Sequence, residues 1–186
     1  MTESRILNGL SIDEQVNGFM LFVHGRKIID HSTKKPCIEI GSSEPKVESK
    51  SGFFKIRERV FHTKVLHRYS IIEKSDNICT IQLDNLLTIE FELKGNLLII
   101  KPTTDKPEYN RFKIHLCADA QESIYGGGEQ LGKLNLKGTK LPVWISEPGV
   151  GRRFDPLTIS FAIKTGHVPR WYNTYYSMPS WVSSTG

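Results

Sequence analysis

Two carboxylates, Glu129 and Glu147, stand in the part of the sequence that is richest in Gly, Trp and Pro. Glycosidases cleave their bond with two carboxyl groups that lie about 5 to 10 Å apart. The sequence does not set that separation, so a catalytic pair is one interpretation. The favoured interpretation is that each carboxylate accepts hydrogen bonds from backbone N–H groups in an irregular loop, where many donors lie outside any ladder.

The segment Gly127–Lys133 has the G-x-x-x-x-G-K spacing of a phosphate-binding loop, which cradles phosphates at a helix N-terminus. Leu134 stands where a Ser or Thr hydroxyl would bind Mg²⁺, and Leu134–Gly138 alternates like a strand. Nucleotide binding is therefore disfavoured. No G-x-S-x-G motif indicates a nucleophilic serine.

The histidines have neither H-x-x-x-H nor H-E-x-x-H spacing, so we predict no metal site and no cofactor. We expect them on strand surfaces: His24, His31, His62, His67, His115 and His167.

Large aromatic side chains are concentrated towards the end of the chain. Trp144, Trp171 and Trp181 are candidates for stacking on sugar rings, but in a sandwich such rings more often fill the core. We favour the core for Trp144 and leave the other two open.

Period-2 alternation of apolar and polar residues recurs along the chain, whereas helical spacing is rare. An S-x-x-E pattern at Ser11 and Glu14 predicts one helical turn at most. The predicted strands are Gly18–Val23, Lys27–His31, Cys37–Ile40, Phe53–Ile56, Lys64–Ile72, Ile78–Leu83, Leu86–Leu93, Leu97–Lys101 and Arg111–Cys117. Tight turns are expected at 24–26, 84–85 and 94–96, and polar connections at Gly41–Pro45 and Thr103–Pro107. This predicts an all-β antiparallel sandwich that forms one domain over residues 1–186.

The formal charge is +5 over 186 residues. Basic residues alternate with acidic ones, as in Lys55–Arg59, so we predict a solvated surface and no nucleic-acid partner. Residues 1–20 hold no basic segment followed by an apolar run, and no stretch of about 18 apolar residues occurs, so we predict no membrane span and a cytoplasmic location. The three cysteines, Cys37, Cys79 and Cys117, are expected as buried reduced thiols.

Three linked blocks, Tyr125–Gln130, Leu136–Gly138 and Pro142–Arg152, closely resemble a run in glycoside hydrolase family 31. The branch they resemble contains bacterial alpha-glucosidases and sulfoquinovosidases. Weaker similarity extends to Arg26–Ser32, Pro36–Ser42 and Tyr176–Ser183. The chain departs from the family at Lys137, where Arg is commoner, and at Pro148, where bacterial relatives usually have Gln.

The resemblance implies a galactose mutarotase-like β-sandwich that packs on a (β/α)8 barrel, whose loops carry the catalytic aspartates. That barrel is absent from these residues, and we expect even the sandwich to be incomplete at the C-terminus. No catalytic residue is therefore expected in this chain, and the parent's partner would be an α-linked carbohydrate bound by the barrel. The residues that the resemblance places near the substrate rim are Glu129, Gln130, Glu147 and Arg152.

The predicted function is that of a non-catalytic sandwich of an O-glycosyl hydrolase, which packs on the barrel and shapes the rim of its substrate site. Two alternatives stay open. One is a carbohydrate-binding sandwich that acts alone. The other is a protein-interaction fragment that self-associates through unpaired strand edges and uncovered surfaces.

Overall fold

The computed structural model of the chain describes residues 9–50, 53–129, 132–146, 156–165 and 170–185. The elements are β1 Leu10–Gln15, β2 Gly18–Val23, β3 Arg26–Ser32, β4 Ile38–Lys50, β5 Phe53–Val65, β6 Tyr69–Lys74, β7 Ile78–Leu83, β8 Leu87–Lys94, β9 Leu97–Thr103, β10 Arg111–Ile114, β11 Ile124–Gly128, α1 Pro156–Thr165 and β12 Ser177–Ser183. Strands dominate, and the predicted all-β class is confirmed.

In the described part of the chain the strands lie in four sheets, of order β1-β2-β3, β10-β4-β5, β6-β7-β8-β9 and β11-β12. Every strand pair whose register is described is antiparallel. Two compact units divide the chain: the first takes Met1–Glu44 and Glu58–Ala118, and the second takes Pro45–Arg57 and Asp119–Gly186. A single domain over residues 1–186 stays a prediction.

The core of the first unit is built by the period-2 alternation of its strands. Phe19 and Leu21 of the first sheet, Ile40 of the second, and Ile89 and Phe91 of the third belong to one buried cluster. Burying a side chain of this size contributes roughly 1.5–3 kcal/mol relative to leaving it exposed. Packing of three antiparallel sheets around one core makes this unit a β-sandwich.

The hairpin turns lie where the sequence predicts them. His24 and Gly25 both have positive φ, 48° and 79°, and connect β2 to β3 in a two-residue turn. Asp84 and Asn85, with φ 47° and 54°, connect β7 to β8, and Gly95, with φ 60°, begins the turn after β8. Positive φ at both central residues matches the right-handed twist of the flanking strands.

The helical turn predicted from Ser11 and Glu14 is wrong, because both residues lie in β1. Leu10 and Ile12 alternate into the core, with 6% and 4% of their surface exposed. All six residues of β1 pair with β2. Burial of apolar side chains and hydrogen bonding to β2 outweigh the S-x-x-E capping pattern, because no amphipathic helical segment follows that pattern.

The connection predicted at Gly41–Pro45 is also wrong, since β4 runs from Ile38 to Lys50. A Cβ on Gly41 would lie 2.9 Å from the backbone oxygen of His62, so the glycine that suggests a loop permits close strand packing instead. Its strand partner on the other side is Arg111.

Helix α1, in the second unit, is not predicted from the sequence. Pro156 occupies its first position, where a missing N–H costs nothing. Leu157, Ile159 and Ile163 are 62%, 44% and 77% exposed. Because its apolar residues do not all face one side, the amphipathic period that identifies a helix in sequence is missing.

His31 is buried, which corrects its predicted place on a strand surface. It has 1% of its surface exposed, and its ring stacks on Phe19 with centroids 5.1 Å apart. The backbone N–H of Cys37 donates to its Nδ1 at 3.4 Å. A neutral imidazole with polar partners tolerates this site, and burial lowers the pKa of His31.

Candidate functional site

The first of the three sequence blocks, Tyr125–Gln130, contributes most of β11 in the second unit, and three glycines set its path. Gly126, Gly127 and Gly128 have φ of 117°, 78° and 88°, a region that other residues rarely adopt. A Cβ on Gly126 would lie 2.4 Å from the oxygen of Ser180, and one on Gly128 would lie 2.2 Å from that of Tyr176. The glycines therefore permit β12 to approach β11 closely.

Glu129 follows directly after β11, and its side chain is exposed. Its backbone N–H donates to the carbonyl oxygen of Tyr176 at 2.8 Å, which holds the turn that presents the carboxylate. Gln130, Glu147 and Arg152 lie outside the described residues. The separation of Glu129 from Glu147 thus stays undetermined, and the rim role of all four residues stays a prediction.

A buried carboxylate that sequence reasoning missed, Glu122, stands just before β11. It is 4% exposed. One oxygen accepts the N–H of Asp119 at 2.9 Å, and the other accepts the hydroxyls of Ser183 and Thr185, the latter at 3.2 Å. Glu122 joins the start of β11 to the end of β12, and the sequence pattern around it gives no signal of this role.

The second block, Leu136–Gly138, is tied to the same strand. The N–H of Leu136 donates to the oxygen of Ile124 at 2.7 Å, and Asn135 Oδ1 accepts the N–H of Ile124 at 3.1 Å. The Lys137 ammonium donates to the carbonyl oxygens of Asp119 and Ala120, the latter at 2.8 Å. The residue that departs from the family at this position therefore anchors the approach to β11.

Of the third block, Pro142–Arg152, the structure describes residues 142–146. Ser146, the last of these, is 2% exposed. Its N–H donates to the oxygen of Thr174 at 3.0 Å, and its hydroxyl accepts Asn173 Nδ2 at 2.9 Å. Asn173 Oδ1 in turn accepts the N–H of Arg170 at 3.0 Å. Buried polar groups with all partners in place rigidify a loop, so this network fixes the path of the chain on either side of it.

The three tryptophans have different surroundings. Trp181 is 50% exposed on β12, directly across from Gly126. Trp171 is half-buried, and the Lys133 ammonium lies 5.0 Å from its ring centroid. Trp144 is half-buried too, so it is only partly the core residue that the sequence favours. Their contact with a sugar stays a prediction.

Comparison with known proteins covers almost the whole chain. It is 29% identical over 169 residues to a sulfoquinovosidase of Agrobacterium fabrum, matching 90% of this chain and 25% of that protein. The sulfoquinovosidase of Escherichia coli is 29% identical over 175 residues, again 90% of this chain and 26% of that protein. A solved GH31 sulfoquinovosidase from E. rectale, in complex with an aza-sugar inhibitor, superimposes with a TM-score of 0.82 at 31% identity and matches 93% of this chain.

The chain is homologous to sulfoquinovosidases of glycoside hydrolase family 31. The resemblance predicted from the three blocks is thereby confirmed. No protein-family model matches the chain. The chain spans about a quarter of the length of these relatives, so the activity of the whole protein remains a matter for proposal.

Within the residues that the structure describes, no group of three or more His, Cys, Asp or Glu side chains could hold a metal ion. No helix in that part of the chain is long and apolar enough to cross a membrane.

Proposed function

We propose that the chain is the non-catalytic, mutarotase-like β-sandwich of an O-glycosyl hydrolase, and that it packs on a (β/α)8 barrel which carries the catalytic aspartates. The supporting observation is similarity over nine-tenths of the chain to only a quarter of proteins named sulfoquinovosidase. The names of these relatives support a sulfoquinovosyl glycoside as the parent's substrate, and the α linkage is what the resemblance of the three sequence blocks implies. A cytoplasmic location and the absence of a nucleic-acid partner stay predictions.

The proposed role of the second unit is to shape the rim of the substrate site. Glu129 supports this because its exposed carboxylate follows a strand whose path is held by glycine packing and by the Tyr176 carbonyl. A group held on a rigid strand end orients a ligand at little entropic cost. Gln130, Glu147 and Arg152 complete the proposed rim.

Activity separates a packing domain from an enzyme. The purified 186-residue chain should not hydrolyse a nitrophenyl α-sulfoquinovoside. A chimera in which this chain replaces the matched quarter of the Agrobacterium enzyme should hydrolyse it, because the barrel is then supplied. Hydrolysis by the chain alone would contradict the proposal, as would a folded but inactive chimera.

The rim role has its own test in that chimera. Glu129→Gln should raise KM or lower kcat several-fold, because a carboxylate that contacts substrate contributes binding free energy. Glu73→Gln, an exposed acid on β6 in the first unit, is the control and should change neither constant. If Glu129→Gln and Glu147→Ala both leave kcat and KM unchanged, neither residue contacts substrate.

A second candidate function, sugar binding by the chain alone, is favoured by the exposed rings of Tyr176 and Trp181, at 60% and 50%. Tryptophan fluorescence during a sugar titration distinguishes the two, since a packing domain gives no saturable change.

Self-association is the third candidate function. It is favoured because β5 is an edge strand on which Val60 is 57% and Phe61 46% exposed. Sedimentation as a monomer at high concentration would argue against it.

A further inference from the structure

The β10-β4-β5 sheet carries a groove of about 280 Å³ on the face turned away from the core. Ile40 and Phe112 point towards the core, so their neighbours along the strands point outwards. Glu58 and Val60 of β5 and Arg111 of β10 line the groove. All of these residues belong to the first unit, whereas the three sequence blocks belong to the second.

The floor of the groove is Gly41. It pairs with Arg111 on one side, and a Cβ at this position would lie 3.8 Å from the Arg111 Cβ and 3.7 Å from the Thr63 hydroxyl. Any other residue would fill the space between these side chains. The groove exists because the sheet has no side chain there.

Charged groups of both signs surround this floor. Arg111 Nε donates to a Glu58 oxygen at 2.5 Å, and Lys113 Nζ donates to a Glu39 oxygen at 2.6 Å. The Ser43 hydroxyl donates to Glu58, and with Arg111 it lowers the pKa of that carboxyl. Lys113 lowers the pKa of Glu39. Both carboxyls are therefore ionised at neutral pH, and the two formal positive charges of Arg111 and Lys113 balance them.

The ion pairs leave hydrogen-bonding capacity in the groove. Arg111 has five N–H donors and uses Nε towards Glu58 and Nη1 towards the Asn110 carbonyl at 2.8 Å. Each carboxylate offers about four lone-pair sites. Donors and acceptors therefore lie next to one another in a groove whose formal charges cancel. Val60, which is 57% exposed, forms an apolar wall beside them.

We propose that this groove binds one neutral sugar ring. Hydroxyls both donate and accept, so they match adjacent ammonium, guanidinium and carboxylate groups, and the C–H face of the ring can pack on Val60. An anion would meet Glu39 and Glu58, and a cation would meet Arg111 and Lys113. The volume of about 280 Å³ lies just below the roughly 300–1,000 Å³ of small-molecule sites, which favours one ring over a chain.

Titration of the ¹⁵N-labelled 186-residue chain with methyl α-D-glucopyranoside tests this inference. We expect saturable amide shifts at Gly41, Ser43, His62 and Arg111, with a Kd in the millimolar range, and weaker binding of D-glucuronate. No tryptophan lines the groove, so tryptophan fluorescence should not respond. The result is therefore independent of the proposed rim and of the parent's activity.

Two substitutions in the groove should weaken sugar binding. Arg111→Gln removes charge-assisted donors and should raise Kd about tenfold. Val60→Trp fills the groove and should abolish saturable shifts. Arg59→Gln is the matched control: it makes the same charge change on β5, where the guanidinium lies 5.0 Å over the Phe61 ring, and it should change Kd less than twofold.

Thermal melting verifies that each variant is folded. Three outcomes would overturn the inference: no saturable shift at the groove amides, tighter binding of glucuronate than of the neutral glycoside, or equal weakening by Arg59→Gln and Arg111→Gln. If Arg111→Gln fails to fold, Val60→Trp decides, because a groove-filled variant that still binds places the sugar elsewhere.

Discussion

Trp181 lies directly across the β11–β12 pair from Gly126. The backbone oxygen of Ser180 would stand 2.4 Å from a Cβ on Gly126, so strand approach requires glycine here whether or not a ligand is near. The glycines that make the signature conspicuous therefore have a structural cause in the second unit. They also set the path of the chain that leads to Glu129.

Gly126→Ala should lower the free energy of unfolding of the second unit by at least about 2 kcal/mol, because the new methyl group meets a backbone oxygen at strained φ. Urea unfolding followed by tryptophan fluorescence measures it. Gly138→Ala is the control, since Gly138 has φ 71° with nothing within 4 Å of its Cβ position. It should cost only about 1–2 kcal/mol, the cost of left-handed backbone alone. Equal costs would remove the argument from strand approach.

Glu122→Ala should destabilise the second unit by about 2–4 kcal/mol, because three donors lose a buried acceptor. These donors are the N–H of Asp119 and the hydroxyls of Ser183 and Thr185. Asp105→Ala, which removes an exposed loop carboxylate, should change stability by less than about 0.5 kcal/mol. Chemical denaturation measures both variants, and a cost for Glu122→Ala as small as that of the control would contradict the role.

The first unit was largely predictable from sequence because its strands bury one face only. In β8 the buried residues are Leu87, Ile89, Phe91 and Leu93, and this alternation is visible in the sequence. Positive-φ turn residues such as Gly25 mark the hairpins equally well. Local pattern and tertiary packing agree there, as they do in most well-specified elements.

Prediction failed where local pattern and packing disagree. Gly41 indicates a loop, but lies in a strand that needs close approach on both sides. Helix α1 has Leu157, Ile159 and Ile163 exposed, and the spacing of these residues gives no single apolar stripe from which a helix could be predicted. In the candidate site, Glu129 stands out because glycines surround it, whereas Glu122 has no such marker, and its importance arises from hydroxyls 61 and 63 residues further along.

The stability of the first unit should fall as the pH is lowered from 7 to 5.5. Burial lowers the pKa of His31 below its ordinary value of 6.5, so the unfolded chain binds more protons than the folded chain in this range. Stability therefore rises with pH here, by at most about 1.4 kcal/mol per pH unit for one group. Unfolding free energies at the two pH values measure the loss.

His31→Gln should remove most of that pH dependence, although it lowers stability at both pH values. The carboxyls of Glu39, Glu58 and Glu92 have lowered pKa values, so they stay ionised in this window and do not imitate the effect. His24→Gln removes an exposed imidazole and serves as the control. If it flattens the profile as much as His31→Gln does, the buried imidazole is not the cause.

The thiols should differ in their reaction with iodoacetamide at pH 8. Cys37 and Cys79 are buried, and burial raises the pKa of each to about 11. Cys117 is only half-buried, and its pKa is raised less far. Because the thiolate is the nucleophile, the native chain should be alkylated first at Cys117, and the other two should react at least about tenfold more slowly.

Peptide mass spectrometry over a time course measures the three rates. The control is the same reaction in 6 M guanidinium chloride, where all three thiols should react alike. Equal native rates would mean that Cys37 and Cys79 are not enclosed by the core that the strands build around them.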